Sequence, residues 1–172
     1  MKNRVSTKQG KMSPTVPKED IKTAFSALTA VPVHGKTKPY HFVVFTEDKA
    51  DAGRDVIRML KGDKLDEESF VKHFGGVGAF IFIFCKEIEG KIPHYEQEWS
   101  TACGVYSLQL SLQEMGYGVN WYSIYKDTKC VSTLREMCVM SSEYTPMGYV
   151  MVGKASLEYK DREDFAPYVN FM

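Results

Sequence analysis

The sequence is short of the features that would send it to nucleic acid, membrane or an oxidising compartment. Its 172 residues hold 22 Lys and Arg against 22 Asp and Glu, so no net charge remains. No basic run builds the single-sign field that nucleic acid or an anionic membrane rewards. The longest apolar stretch, Ala79–Cys85, falls far short of the roughly 20 residues of a membrane span, and the N-terminus carries no apolar signal-peptide core. A cytoplasmic protein is expected. The four cysteines include no CxxC pair, and Cys85 and Cys103 lie in apolar segments where free thiols act as small core residues. Cys130, Cys138 and His94 lack the spacing of zinc ligands, so no metal site is expected. No GxSxG elbow supports a hydrolase triad, and Gly75, Gly76 and Gly78 precede a strand where a phosphate loop would follow one. That glycine run reads as a hinge or bulge.

What is present suits one well-buried core, an α/β or α+β domain spanning 1–172 with an N-terminal arm (1–18) and a C-terminal arm (158–172). Ile21, Ala24, Phe25 and Leu28 share one face of a helix that begins at Glu19 and stops before Pro32. A loop then leads to His41–Phe45, whose β-branched and aromatic content predicts a strand. The charged stretch from Glu47 to Lys72 suits one or two short helices broken at Gly62. Ala79–Cys85 predicts a central strand buried on both faces. From about Glu96 to Met115 runs the longest helix, with so little polar face that burial on most sides is expected, and with small residues at Ser100, Ala102, Gly104 and Ser107 that would admit a second helix. Val119–Ile124 reads as extended, Val131–Met137 as a short helix, and Met147–Val152 as a strand closed by Gly153. Glu96 and Glu98, at the start of the long helix, complement its dipole.

That order of elements resembles the nitroreductase family over nearly the whole chain. The likeness is strongest from Lys91 to Met172. It is carried by His94-Tyr95-Glu96-Gln97-Glu98 before the long helix, by Gly116-Tyr117-Gly118 followed by Trp121-Tyr122-Ser123, by the Met147–Gly153 strand, and by Pro167-Tyr168-Val169-Asn170-Phe171. The resemblance implies an α+β fold with a central, mostly antiparallel sheet flanked by helices, in an intertwined homodimer. It also implies FMN as cofactor, NAD(P)H as co-substrate, and a small aromatic acceptor, nitroaromatic or quinone-like, reduced by ping-pong turnover in a homodimer, while the charge balance and short apolar runs leave nucleic acid and membrane out as partners.

Three segments are assigned to FMN through the resemblance. Arg4-Val5-Ser6 matches an Arg-x-Ser element, where a guanidinium pairs with phosphate and a hydroxyl adds a hydrogen bond. The loop Val31–Tyr40 would reach the flavin ring from the partner subunit through His34, Lys36 and Lys38. Lys38 stands where the family has Gln, Lys36 where many members have Asn, and Tyr40 replaces Trp. A lysine near the flavin N1 would stabilise the anionic reduced ring. Trp121-Tyr122-Ser123 matches a Trp-Arg-Ser segment, with Tyr122 in place of the arginine. The cofactor carries the chemistry, so no side chain is assigned as catalyst. The substitutions at Lys38 and Tyr122 leave open a second reading, a flavin-binding sensor or storage module with little turnover.

Overall fold

The computed structural model of the protein describes residues 4–124 and 127–157. In chain order the elements are α1 (Lys18–Phe25), β1 (Tyr40–Thr46), α2 (Ala50–Lys61), α3 (Glu67–Phe74), β2 (Ala79–Lys86), α4 (His94–Glu114), β3 (Tyr117–Tyr122), α5 (Thr128–Met137) and β4 (Tyr144–Lys154). The four strands form one sheet in the order β1-β2-β4-β3, with every neighbouring pair antiparallel. The fold class is α+β, as expected. The C-terminal arm at 158–172 lies outside the described residues.

The apolar run in β2 is what gives the sheet two covered faces. Residues Ala79–Cys85 have no exposed surface, and successive side chains leave the strand on opposite sides. Phe80, Phe82 and Phe84 meet Val56 and Ile57 of α2, Phe70 and Phe74 of α3, and Leu134 of α5. Ile81 and Ile83 meet Ile21 and Ala24 of α1 and Val105, Leu108 and Leu112 of α4. One strand thus sits in the middle of two apolar layers.

Three local readings need revision. The first helix ends at Phe25, and the periodic residues up to Leu28 continue in a tighter 3-10 turn, Ser26–Ala30. The glycine run is neither hinge nor bulge. Cβ atoms at Gly76 and Gly78 would strike the Met12 and Pro14 carbonyl oxygens, so these positions clear the path of the N-terminal arm over the sheet. Beside them Ser13 and Lys154 exchange backbone hydrogen bonds of 2.8 and 2.9 Å. Among the described residues the long helix is not buried on most sides. Its inner face carries Gln97, Thr101, Val105, Leu108, Gln109 and Gln113, while Tyr95, Trp99, Cys103 and Tyr106 stand exposed in one stripe. Of the small residues, Ser100 and Gly104 lie on the inner face, and Gly104 seats the helix against Leu28, Tyr40 and Phe42 of its own chain.

Tyr117, at the start of β3, is buried and donates its hydroxyl hydrogen to Asp20 of α1. Burial, reinforced by that carboxylate, pushes the phenol up to about 12 from its ordinary 10.0. A group held protonated by the fold contributes stability that is complete below its unfolded value and disappears as pH rises through its folded value. The Tyr117 contribution should therefore fade between about pH 10 and 12. Buried Tyr149 is also raised and adds its own loss in alkali. We expect Tyr117→Phe to flatten the alkaline limb of stability without removing it, as measured by urea unfolding at a series of pH values.

Candidate functional site

The N-terminal element is anchored at two points. The Val5 N–H donates to Gln113 Oε1 at 3.3 Å, the Val5 carbonyl accepts from Gln113 Nε2, and the Thr7 N–H donates to the Val119 carbonyl at 2.9 Å. Gln113 belongs to the last turn of α4 and Val119 to the edge strand β3. Held there, Arg4 Nη1 lies 3.2 Å from Ser6 Oγ as its donor. A guanidinium and a hydroxyl side by side on a tethered backbone fit a phosphate group.

The segment Trp121-Tyr122-Ser123 continues the same strand edge. Trp121 is partly exposed and Ser123 exposed. Tyr122 points to the opposite face, as strand alternation requires. Its ring stacks on Tyr149 with centroids 5.7 Å apart and planes 9° apart, its hydroxyl donates to Gln9 Oε1 at 3.2 Å, and Lys61 Nζ stands 5.6 Å from its centroid. The structure therefore brings Arg4, Val5 and Ser6 to the same edge as Trp121, and packs the Tyr122 side chain among the helices of the other layer.

The loop at 31–39 is built differently. Gly35 has φ +61, and a Cβ there would strike Ile92 Cδ1. Lys36 (φ 58) and Lys38 (φ 46) also adopt the left-handed region, at a cost of roughly 1–2 kcal/mol each. Lys38 does so directly before Pro39, a place where extended backbone is the rule. Contacts from the start of α4 meet this loop. His34 Nδ1 is hydrogen-bonded to Glu96 Oε2 at 2.7 Å. Gln97, buried one position further on, receives the Ile88 N–H at 2.9 Å and donates to the carbonyls of Ile88 (3.0 Å) and Ile92 (3.1 Å). The sequence assigned no role to Gln97 and gave Glu96 only the helix dipole. The available signal was a polar residue recurring along the inner face of a helix whose other face is aromatic. Beside the loop opens a cleft of about 750 Å³ lined by Lys38, Lys86, Glu87, Ile88 and Glu143 among others.

Within one chain the two groups of assigned residues stay apart. His34, Lys36 and Lys38 lie at the N-terminal end of α4, and Arg4, Val5 and Ser6 at its C-terminal end. Their anchors, Glu96 and Gln113, are separated by about 25 Å at the 1.5 Å rise of an α-helix. That exceeds the reach of one flavin mononucleotide from phosphate to ring. Other chemistry has little support. Burial pushes the Cys85 thiol up and the Cys138 thiol up to about 12, so neither is poised as a nucleophile. Among the described residues no three His, Cys, Asp or Glu side chains converge to hold a metal, and no helix is long and apolar enough to cross a membrane.

An antiparallel four-stranded sheet covered by helices, with an arginine-serine element and a strained basic loop at the two ends of one long helix, defines an α+β protein. Its relatives make the class specific: the chain matches the Nitroreductase family over residues 1–154 and belongs to that family. A Haemophilus influenzae protein provisionally named an NAD(P)H nitroreductase is 27% identical over 165 residues, 88% of each chain. A nitroreductase-like family protein of Bacillus cereus shares the fold at a TM-score of 0.78 and 17% identity, covering 99% of this chain and 92% of that one. Nitroreductase CinD of Lactococcus lactis, solved with nicotinic acid, does so at 0.77 and 16%, covering 99% and 96%. An FMN-dependent nitroreductase of Clostridium difficile aligns at 0.71 and 17%, covering 98% and 95%.

The Gln97 clamp is open to a direct test. Gln97→Ala leaves the Ile88 N–H and two loop carbonyls without their buried partner, a loss of about 1–3 kcal/mol. We expect a lower melting temperature and faster hydrogen exchange at the Ile88 amide, measured on the same protein.

Proposed function

We propose that the protein is an FMN-dependent oxidoreductase that oxidises NAD(P)H and reduces nitroaromatic or quinone-like acceptors, working as a homodimer whose two cofactor sites are each built from both chains. The observation that carries this reading is the layout of α4: the phosphate-type donors at one end, the basic loop at the other, and an exposed stripe of Tyr95, Trp99 and Tyr106 between them. An aromatic stripe of that extent on one helix is the surface a second copy covers. If two copies of α4 cross antiparallel about a two-fold axis, the loop of one protomer comes to the arm of its partner. A separation too long for one cofactor within a chain then becomes a short one between chains.

The residues divide the work accordingly. Arg4 and Ser6 hold the phosphate, with the Val5 backbone fixed by Gln113. His34, Lys36 and Lys38 face the ring from the partner, where a lysine favours negative charge on the reduced ring. Trp121 and Ser123 border the cofactor on the strand edge, and Tyr122, stacked on Tyr149, keeps that edge in register. When bound, FMN would supply hydride-transfer chemistry between NAD(P)H and the acceptor, in ping-pong order. The side chains bind, orient and tune, and none need exchange a bond with substrate.

A visible spectrum during anaerobic titration with NADH or NADPH tests this. The protein should be yellow, bleach with reductant, and oxidise the nicotinamide steadily only after acceptor is added. Yellow protein without turnover would favour the flavin-binding module, and a protein that binds no added FMN would end the proposal. Arg4→Ala should weaken FMN binding about tenfold or more, the worth of a charge-assisted hydrogen bond to phosphate.

The homodimer has its own test. Placing a charge in the stripe by Trp99→Asp should convert the dimer to monomer in sedimentation and release the flavin in the same step. A stable wild-type monomer that keeps FMN at nanomolar concentration would disprove the shared site.

A further inference from the structure

We infer that Glu96 is a positioning residue for the cofactor site: through its hydrogen bond to His34 it holds residues 34–38 in the strained conformation that presents Lys36 and Lys38. The inference builds on the functional reading above only where it concerns flavin. The tether itself stands on geometry. His34 and Glu96 are 62 positions apart in sequence and 2.7 Å apart in space. Between His34 and Pro39, three of the four intervening residues, Gly35, Lys36 and Lys38, have positive φ. Backbone held in that region by non-glycine residues persists only where its surroundings impose it.

The surroundings are few. The turn at His34–Lys36 is short and closed by the single Thr37 N–H to His34 carbonyl bond of 3.3 Å, supported by Thr37 Oγ1 donating to the same carbonyl at 3.1 Å. His34, Gly35, Lys36 and Lys38 are all exposed, so packing does little to restrain them. After Lys38 the chain is fixed by buried Pro39, whose carbonyl accepts from the Lys86 N–H at 2.7 Å; what ties the turn itself to the body of the protein is the Glu96 carboxylate, seconded by Ile92 against Gly35, and Ile92 is in turn held by Gln97. Two adjacent residues in the first turn of α4 therefore grip the loop, one by its histidine and one by the segment beneath it. Tyr95 and Trp99 rise from the same turns, with rings 4.9 Å apart, so the helix end that meets a second copy is the end that shapes the loop.

The imidazole carries a signature of the tether. A carboxylate accepting from Nδ1–H selects the Nδ1–H tautomer and leaves Nε2 as acceptor. Without Glu96 the ring should revert to the Nε2–H form that free imidazole side chains favour.

The test uses the full-length protein, first without added flavin. Trypsin can cut after Lys36, whereas the Lys38–Pro39 bond resists it. We expect Glu96→Ala to speed cleavage after Lys36 about tenfold, His34→Ala to do the same, and the double variant to be no faster than either, because both remove one shared interaction. Nitrogen-15 spectra of His34 should show the Nδ1–H tautomer in the wild type and Nε2–H in Glu96→Ala. Glu96→Gln, which retains an acceptor, should restore most of the resistance. Unchanged circular dichroism and thermal unfolding confirm that the variants fold. In the second arm FMN is added, and the variants' binding should weaken severalfold in the order of their cleavage rates.

Equal cleavage of wild type and Glu96→Ala with an unchanged tautomer would overturn the tether. Faster cleavage with unaltered FMN affinity would overturn its role at the cofactor site. If the wild type binds no FMN, the proposed function fails, while the flavin-free arm still decides whether Glu96 holds the loop.

Discussion

A strand that can face solvent on neither side imposes the architecture. From Ala79 to Cys85 β2 offers no position for water, so both faces of the sheet need a helical layer. The order β1-β2-β4-β3 leaves β1 and β3 as edges. Phenylalanines fill one layer and isoleucines with smaller aliphatics the other. Every helix described has a place because one side or the other of β2 had to be covered, and α4 is the largest piece of that cover.

Helix α4 inverts the usual distribution. Its inner face includes three glutamines, two of which bond irregular backbone: Gln97 at the segment 88–92 and Gln113 at Val5. A glutamine can serve both a donor and an acceptor of an irregular segment at once, which is why it stands where aliphatic residues would otherwise pack. These bonds satisfy the polar ends of Gln97 and Gln113. Among the described residues the aromatic outer face of α4 stands exposed, so a single helix joins the buried polar contacts of the interior to an aromatic surface.

Much of this was legible in the sequence, for identifiable reasons. Ala79–Cys85 announced itself by length and composition, His41–Phe45 by β-branched and aromatic content, and the long helix by its extent. The α+β class and the family followed from element order and from His94–Glu98 at the start of α4, Gly116-Tyr117-Gly118, Trp121-Tyr122-Ser123 and the Met147–Gly153 strand, whereas Arg4-Val5-Ser6 was placed only through that resemblance. Which face of α4 turns inward was not legible, because a helix apolar on most sides has almost no moment to orient it. The His34–Glu96 pair was hidden by 62 residues of intervening chain. Left-handed backbone at Lys36 and Lys38 carried no signal, since lysine is a residue type that seldom adopts it. The glycines at 76 and 78 advertised freedom, and the structure uses them for clearance.

The position of β4 between β2 and β3 has a consequence for how the chain reaches this state during synthesis. β1 and β2 can pair as soon as both exist, with α2 and α3 between them in sequence. β3 cannot, because its only partner strand in the described sheet is β4, which is made later. Until then Val119 and its neighbours are an unpaired apolar strand, and Met12, Ser13 and Pro14 wait for Lys154 before the arm can settle. Contacts of such long sequence separation slow folding and prolong exposure of strand edges. The vulnerable species for this protein is therefore the nascent chain that has made β3 but not yet β4, with one half of its sheet formed and the other still awaiting its central strand.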